Sequence, residues 1–140
     1  MDKRLIFSRK LFLYLLDLEV KRARRYQNFF SVLRVKLSPL PGHTKAKELR
    51  NCYQVLSRWL IEEMRDSDIL GSLGDDQLAV ILPYTDLSTK NYSKLFASTL
   101  EYYEIKKKGY NVKLQQINFP KDGADTPSLI KKLIGTEKTK

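Results

Sequence analysis

The sequence predicts one α/β domain, a mixed sheet containing antiparallel strands and flanked by helices. Three observations carry this. Apolar residues recur at helical spacing in some segments and alternate in others. Helical and strand segments follow one another along nearly the whole chain. Two apolar runs at 68–73 and 77–83 are separated only by Gly74-Asp75-Asp76, which marks a hairpin at mid-chain. The length of 140 residues fits a single domain over 1–140 with a core of its own. Residues 8–135 are expected to form that core and 136–140 a frayed tail.

Residues 8–27 read as an amphipathic helix capped by Ser8. Leu11, Leu15, Leu18, Arg22 and Arg25 form one row, and Phe12, Leu16, Val20 and Ala23 another. Phe29 to Leu37 alternates and is rich in β-branched and aromatic residues, so it reads as a strand with Phe30 and Val32 turned toward helices. Ser38-Pro39-Leu40-Pro41-Gly42 ends it. Lys45 to Met64 is a second helix, with Leu49, Tyr53, Leu56, Leu60 and Met64 on one stripe and Trp59 as a packing residue. Strands follow over Asp68 to Leu73 and Gln77 to Pro83, joined by a turn whose Gly-Asp-Asp suits positive-φ positions. Thr85 or Asp86 caps a third helix reaching Glu104. Lys106-Lys107-Lys108-Gly109 reads as a basic loop, Val112 to Phe119 as a strand and Pro120 to Gly123 as a turn. Thr126-Pro127 opens a last helix that runs to Ile134, as N-cap and first helical residue. This order, with its central hairpin, is that of a ferredoxin-like palm.

A hydrophobic fraction of 42% excludes an intrinsically disordered chain. No apolar run approaches the ~20 residues that span a bilayer, so no membrane insertion is expected. The basic-then-apolar start meets Asp17 and Glu19 without a small-residue cleavage site, which argues against a signal peptide. Cys52 is the only cysteine, so no internal disulfide forms. A cytoplasmic setting is consistent with that. The net charge of +10 is uneven: residues 1–50 hold 13 Lys/Arg against 4 Asp/Glu, residues 51–104 hold 4 against 9, and residues 105–140 hold 9 against 3. Both chain ends are therefore basic. A solvated face accounts for this on helices with apolar stripes, ahead of a patch for a polyanion. His43 stands alone, without a second histidine or a cysteine cluster, so neither a metal site nor a catalytic dyad is expected there. Tyr102, Tyr103 and Tyr110 around the lysine run read as packing ahead of base stacking.

Several segments, in order, resemble the GGDEF (diguanylate cyclase) family. Arg9-Lys10-Leu11-Phe12 and Leu18 to Tyr26 look like its opening helix, and Phe30-Ser31-Val32-Leu33 like its first strand. Gly42-His43 looks like its Gly-His before the second helix, and Leu73 to Pro83 like its signature hairpin, followed by Thr85-Asp86-Leu87. Phe119-Pro120 and Asp122-Gly123 look like its last strand and turn.

That resemblance also implies what is altered. Such a cyclase holds GTP through two divalent cations on a carboxylate cluster. The position for the first-strand carboxylate is Lys36, a donor that repels a metal ion. Ser38-Pro39-Leu40-Pro41 replaces the segment for metal and guanine. The signature reads Gly74-Asp75-Asp76-Gln77-Leu78: Asp76 keeps one acid, Asp75 replaces the second glycine and Gln77 the second acid. Asp75 puts a side chain where backbone should approach phosphate. The terminal helix offers only Lys131 and Lys132 for the triphosphate. The expectation is a non-catalytic domain with no catalytic residues, no metal and no cofactor.

One ligand site of the family has a counterpart. Arg65-Asp66-Ser67-Asp68 matches the Arg-x-x-Asp motif that binds cyclic di-GMP in many GGDEF domains, with Asp68 six residues before Gly74. Arginine forks onto a guanine edge or phosphate, and aspartate accepts from guanine N–H groups. Lys94 or Lys90 would be the supporting cation. The plainer reading is that Asp68 caps a turn. The functional expectation is an inactive signalling domain, a cyclic di-GMP receptor through Arg65, Asp68 and Lys94. The alternative is a module that binds a protein partner or a second copy of itself. Nucleic acid is not an expected partner.

Overall fold

The computed structural model describes residues 6–42, 46–86 and 92–134. His43, Lys90 and the 136–140 tail lie outside them. Helix α1 (Arg9–Tyr26) leads into strand β1 (Phe30–Pro39), helix α2 (Ala46–Glu63), strands β2 (Ile69–Gly74) and β3 (Gln77–Pro83), helices α3 (Tyr92–Ala97) and α4 (Leu100–Lys107), strand β4 (Tyr110–Phe119) and helix α5 (Thr126–Ile134).

The four strands form one sheet in the order β2-β3-β1-β4. All three strand pairs are antiparallel. A parallel bridge from Phe7 to Gly71 makes the sheet mixed at its β2 edge. Phe7 N–H donates to the Leu70 carbonyl at 3.0 Å, and Ser72 N–H donates to the Phe7 carbonyl at 2.8 Å. The segment before α1 thus covers part of an edge that would otherwise offer unpaired backbone.

Alternation along β1 divides the core in two. Phe30 and Val32 face α1 and α5, where Phe12, Leu16, Val20, Leu129 and Leu133 are buried. Leu33, Val35 and Leu37 face α2 and α4, meeting Cys52, Leu56, Trp59 and Ile105. Trp59 lies 4.4 Å from Phe96 between ring centroids, a packing residue as expected. Burial pushes the Cys52 thiol up to about 11.

Ser8 caps α1 by accepting from Leu11 N–H at 3.3 Å. Gln27 ends it in the left-handed region at φ 55°, its N–H turned back to Ala23 and Arg24. Four local expectations are corrected. The third helix is not continuous to Glu104: it breaks at Ser98-Thr99, where the Thr99 hydroxyl accepts from Tyr102 N–H and starts α4 afresh. Two of the three lysines expected in a loop therefore end a helix. Cap and first turn of α5 shift by one residue, because Asp125 accepts from Ser128 N–H at 2.9 Å while Thr126 donates to Asp17. Finally, Gly74, Asp75 and Asp76 do not use positive φ. A register shift between Ser72 and Gly74 supplies the extra twist instead. The Ser72 hydroxyl stabilises it, donating to the Gly74 carbonyl at 2.9 Å and accepting from Gly74 N–H at 3.3 Å.

Candidate functional site

The two groups of residues singled out in the sequence lie at opposite ends of the sheet. Phe30 pairs with Pro83 at one end, and Lys36 pairs with Gln77 at the other. Six residues of strand separate them, roughly 20 Å.

At the hairpin end, Lys36 and Gln77 are direct cross-strand partners, and Lys113 of β4 stands opposite Lys36. Two pairs further in, on the same face, is Arg34. This residue went unremarked in the sequence reading, although it falls in phase with Phe30 and Val32, which point inward. A charged residue at an inward position is the signal that would have found it. Arg34 is buried, its Nε donating to Gln77 Oε1 at 2.8 Å and its Nη1 to Gln115 Oε1 at 2.9 Å. Burial lowers its pKa from the ordinary guanidinium value, and the charge of Asp76 opposes that shift.

The turn itself is anchored through backbone, with Leu37 N–H donating to the Asp76 carbonyl at 2.8 Å. Leu78, the last signature residue, is fully buried against α2. Asp75 is exposed at the lip of a cleft of about 340 Å³ between α2 and the hairpin. Leu49, Arg50, Tyr53, Ser72 and Gly74 complete its lining.

A lysine and a glutamine occupy the paired strand positions, and the glutamine's oxygen already accepts from Arg34. Among the described residues, no three His, Cys, Asp or Glu side chains are grouped to hold a metal ion.

At the other end, Arg65 and Asp68 do come together. Arg65 Nη2 lies 2.9 Å from Asp68 Oδ1, and Arg65 backbone N–H donates to Asp68 Oδ2 at 2.8 Å. The same Nη2 donates to the Pro83 carbonyl at 3.0 Å and to Thr85 Oγ1 at 2.8 Å. Asp68 N–H closes a turn onto the Arg65 carbonyl at 3.1 Å. The carboxylate thus caps the α2–β2 turn, and the Arg65 guanidinium ties that turn to the end of β3. Its side chain is 1% exposed, whereas that of Arg65 is 52% exposed. Lys94 stands exposed on α3, in the layer of α2. Thr85 is itself held, its carbonyl accepting from the Ser31 hydroxyl at 2.6 Å.

The tyrosines near the lysine run do not make one stacking surface. Tyr110 is buried, Tyr102 meets Phe96 edge-on at 5.9 Å, and Tyr103 is exposed. Lys106 lies over the Tyr102 ring at 5.6 Å.

No protein-family model matches the sequence, and no curated protein matches it by sequence. Solved structures do match in fold. A DGC protein from Thermotoga maritima superposes with a TM-score of 0.69 at 19% identity, over 94% of this chain and 95% of that one. The GGDEF domain of DgcB from Caulobacter crescentus, solved in complex with c-di-GMP, gives 0.63 at 14% identity, over 96% and 83%. The diguanylate cyclase SiaD from Pseudomonas aeruginosa, solved with its activator SiaC, gives 0.59 at 13% identity, over 91% of this chain and 52% of that one. With its strand order, its two-layered core and its central hairpin, the chain has the fold of the GGDEF domains.

Proposed function

We propose that this chain is a non-catalytic signalling domain that uses the GGDEF fold as a contact surface. The observation that carries the reading is the cross-strand pair Lys36–Gln77 with the Arg34 guanidinium bonded to Gln77. Lys36 and Gln77 stand where a two-metal reaction needs carboxylates, and of the signature acids Asp76 alone is kept. Asp75 adds negative charge at the mouth of the adjoining cleft, which disfavours a triphosphate. The test is incubation of the purified chain with GTP and magnesium. No cyclic di-GMP is expected, and its appearance overturns the proposal.

The receptor reading rests on Arg65, whose side chain is half exposed at the surface. Against it, Asp68 is turned inward and both its oxygens accept from Arg65. A guanine would have to displace the bonds that hold the α2–β2 turn. These contacts favour the interaction module, with a protein partner or a second copy as its object, over the cyclic di-GMP receptor. Calorimetry with cyclic di-GMP separates the two. Binding that disappears in Arg65→Ala would establish the receptor, and absence of heat in the native chain removes it. A cytoplasmic location accords with either reading.

A further inference from the structure

The described surface concentrates its exposed apolar side chains on one feature, helix α1. Among the described residues, nine large hydrophobic ones are exposed: Leu11, Tyr14, Leu18, Tyr26, Phe29, Tyr84, Leu95, Leu100 and Tyr103. The first four lie on α1, and Phe29 follows its C-terminal end. Tyr84 joins them because its hydroxyl accepts from Arg22 Nη1 at 2.9 Å and its ring lies 4.7 Å from the Arg22 guanidinium. Tyr84 N–H also donates to the Phe29 carbonyl. Six of the nine therefore belong to one side of the molecule.

Helical geometry explains the pattern. Phe12, Leu16, Val20 and Ala23 point into the core. At 100° per residue, Leu11, Tyr14 and Leu18 fall on the opposite side of the helix, and so does Arg25. Leu11 and Leu18 are 41% and 42% exposed, and Tyr14 is 58% exposed. This is a convex ridge, since it runs along the outer line of a surface helix.

Charge surrounds the ridge on the same layer. Arg9, Lys10, Arg24 and Arg25 of α1 are exposed, as are Lys131 and Lys132 of the neighbouring α5. The carboxylates of α1 are turned to internal use. Asp17 accepts from Thr126 and pairs with Lys21, and Glu19 is buried against Arg22. Asp125 is exposed but caps α5.

We infer that the outer face of α1, with Leu11, Tyr14 and Leu18 ringed by cations, docks on an anionic lipid bilayer. A bilayer accepts a convex apolar ridge, because acyl chains and headgroups close around it. A protein partner would need a matching groove. Exposed tyrosines suit the headgroup level, and flanking lysines and arginines reach the lipid phosphates. A polynucleotide uses the cations but has no use for the leucines. The helix lies along the surface without crossing it, in keeping with the absence of a long apolar helix among the described residues. This inference stands independently of whether the chain binds nucleotide.

The experiment is co-sedimentation of the full chain with vesicles of phosphatidylcholine alone and with phosphatidylglycerol added in equal part. Binding is expected only to the anionic vesicles and falls with added salt. The double variant Leu11→Ser/Leu18→Ser weakens it by about tenfold through lost apolar contact. Lys10→Gln and Arg25→Gln each weaken it by about fivefold. All four positions are exposed, and circular dichroism confirms that each variant keeps the native fold. Failure to sediment with anionic vesicles overturns the inference. So does equal binding to neutral vesicles. Binding that ignores the leucine pair yet is displaced by duplex DNA or polyglutamate also overturns it, because the face is then a general cation patch.

Discussion

At the scale of the residue, Arg34 is the most informative side chain. A buried guanidinium needs acceptors, and here it takes them from two amides, Gln77 and Gln115, without a carboxylate among these contacts. Removing it leaves the buried Gln77 without that donor. Arg34→Ala is expected to cost about 2 kcal/mol or more in urea unfolding. Gln77→Glu places an anion 2.8 Å from that guanidinium and is expected to raise the urea midpoint. It is not expected to bring turnover of GTP, since Lys36 still faces the same spot. A midpoint that falls in Gln77→Glu would show that Arg34 is neutralised by other means. Arg65 and Asp68 illustrate the opposite asymmetry. Asp68 is buried and caps backbone, so Asp68→Ala is expected to destabilise the chain more than Arg65→Ala. The latter removes a half-exposed partner and leaves the Asp68 carboxylate accepting from the Arg65 backbone N–H.

At the scale of the element, α1 depends on a glycine of the strand beneath it. A Cβ at Gly71 would fall 2.6 Å from Phe12 Cγ, and Phe12 is fully buried. The ring cannot retreat, so Gly71→Ala is expected to cost about 1–3 kcal/mol by overpacking. An unchanged thermal midpoint would refute this contact. The α1–α5 junction carries a pH dependence. Asp17 is held below the ordinary carboxylate value by the Thr126 hydroxyl and then by Lys21, and Asp125 by its bonds to Ser128. A carboxyl whose pKa is lower folded than unfolded stabilises the fold above the unfolded value. That stabilisation is lost as the pH falls through the folded one. Helix α5 is therefore expected to lose amide protection in acid, from about pH 4 downward, before the sheet does. Protection in α5 that persists until the whole chain unfolds would contradict it.

At the scale of the whole molecule, two helical layers close the two faces of one sheet. Without α1 the face bearing Phe30, Val32, Ile81 and Ile117 would lie largely open. A chain beginning at Phe29 is accordingly expected to lose cooperative urea unfolding and to be cut rapidly by protease. A sharp transition in that truncated chain would show that the sheet and α2 suffice. Charge is partitioned by the same architecture. Both basic ends of the sequence contribute to the α1–α5 layer, through Arg9, Lys10, Arg24 and Arg25 and through Lys131 and Lys132, while Lys106 and Lys107 end α4 in the opposite layer.

Much of this was legible in the sequence. The apolar run that returns from the Gly-Asp-Asp turn and closes on Pro83 set β3 to the residue, and the helical rows of α1 named its buried side through Phe12, Leu16, Val20 and Ala23. Local periodicity suffices there because burial on one face imposes it. Lys36 and Gln77 were legible through the resemblance to the GGDEF signature, position by position, while their pairing across two strands was not. Other features depended on neighbours distant in sequence. The break at Ser98-Thr99 lies inside a helical pattern. The turn at Asp75-Asp76 gained its twist from the shift at Ser72, which no turn residue reveals. Only the tertiary structure decided that Arg34 is held by amides 43 and 81 residues away. It alone showed that Asp68 spends its carboxylate on Arg65, and that the exposed row of α1 faces outward beside the cations of α5. Sequence determines which residues share a strand or a helix face, because that periodicity is local. What a charged side chain is bonded to depends on which strands pair, and only the assembled sheet settles that.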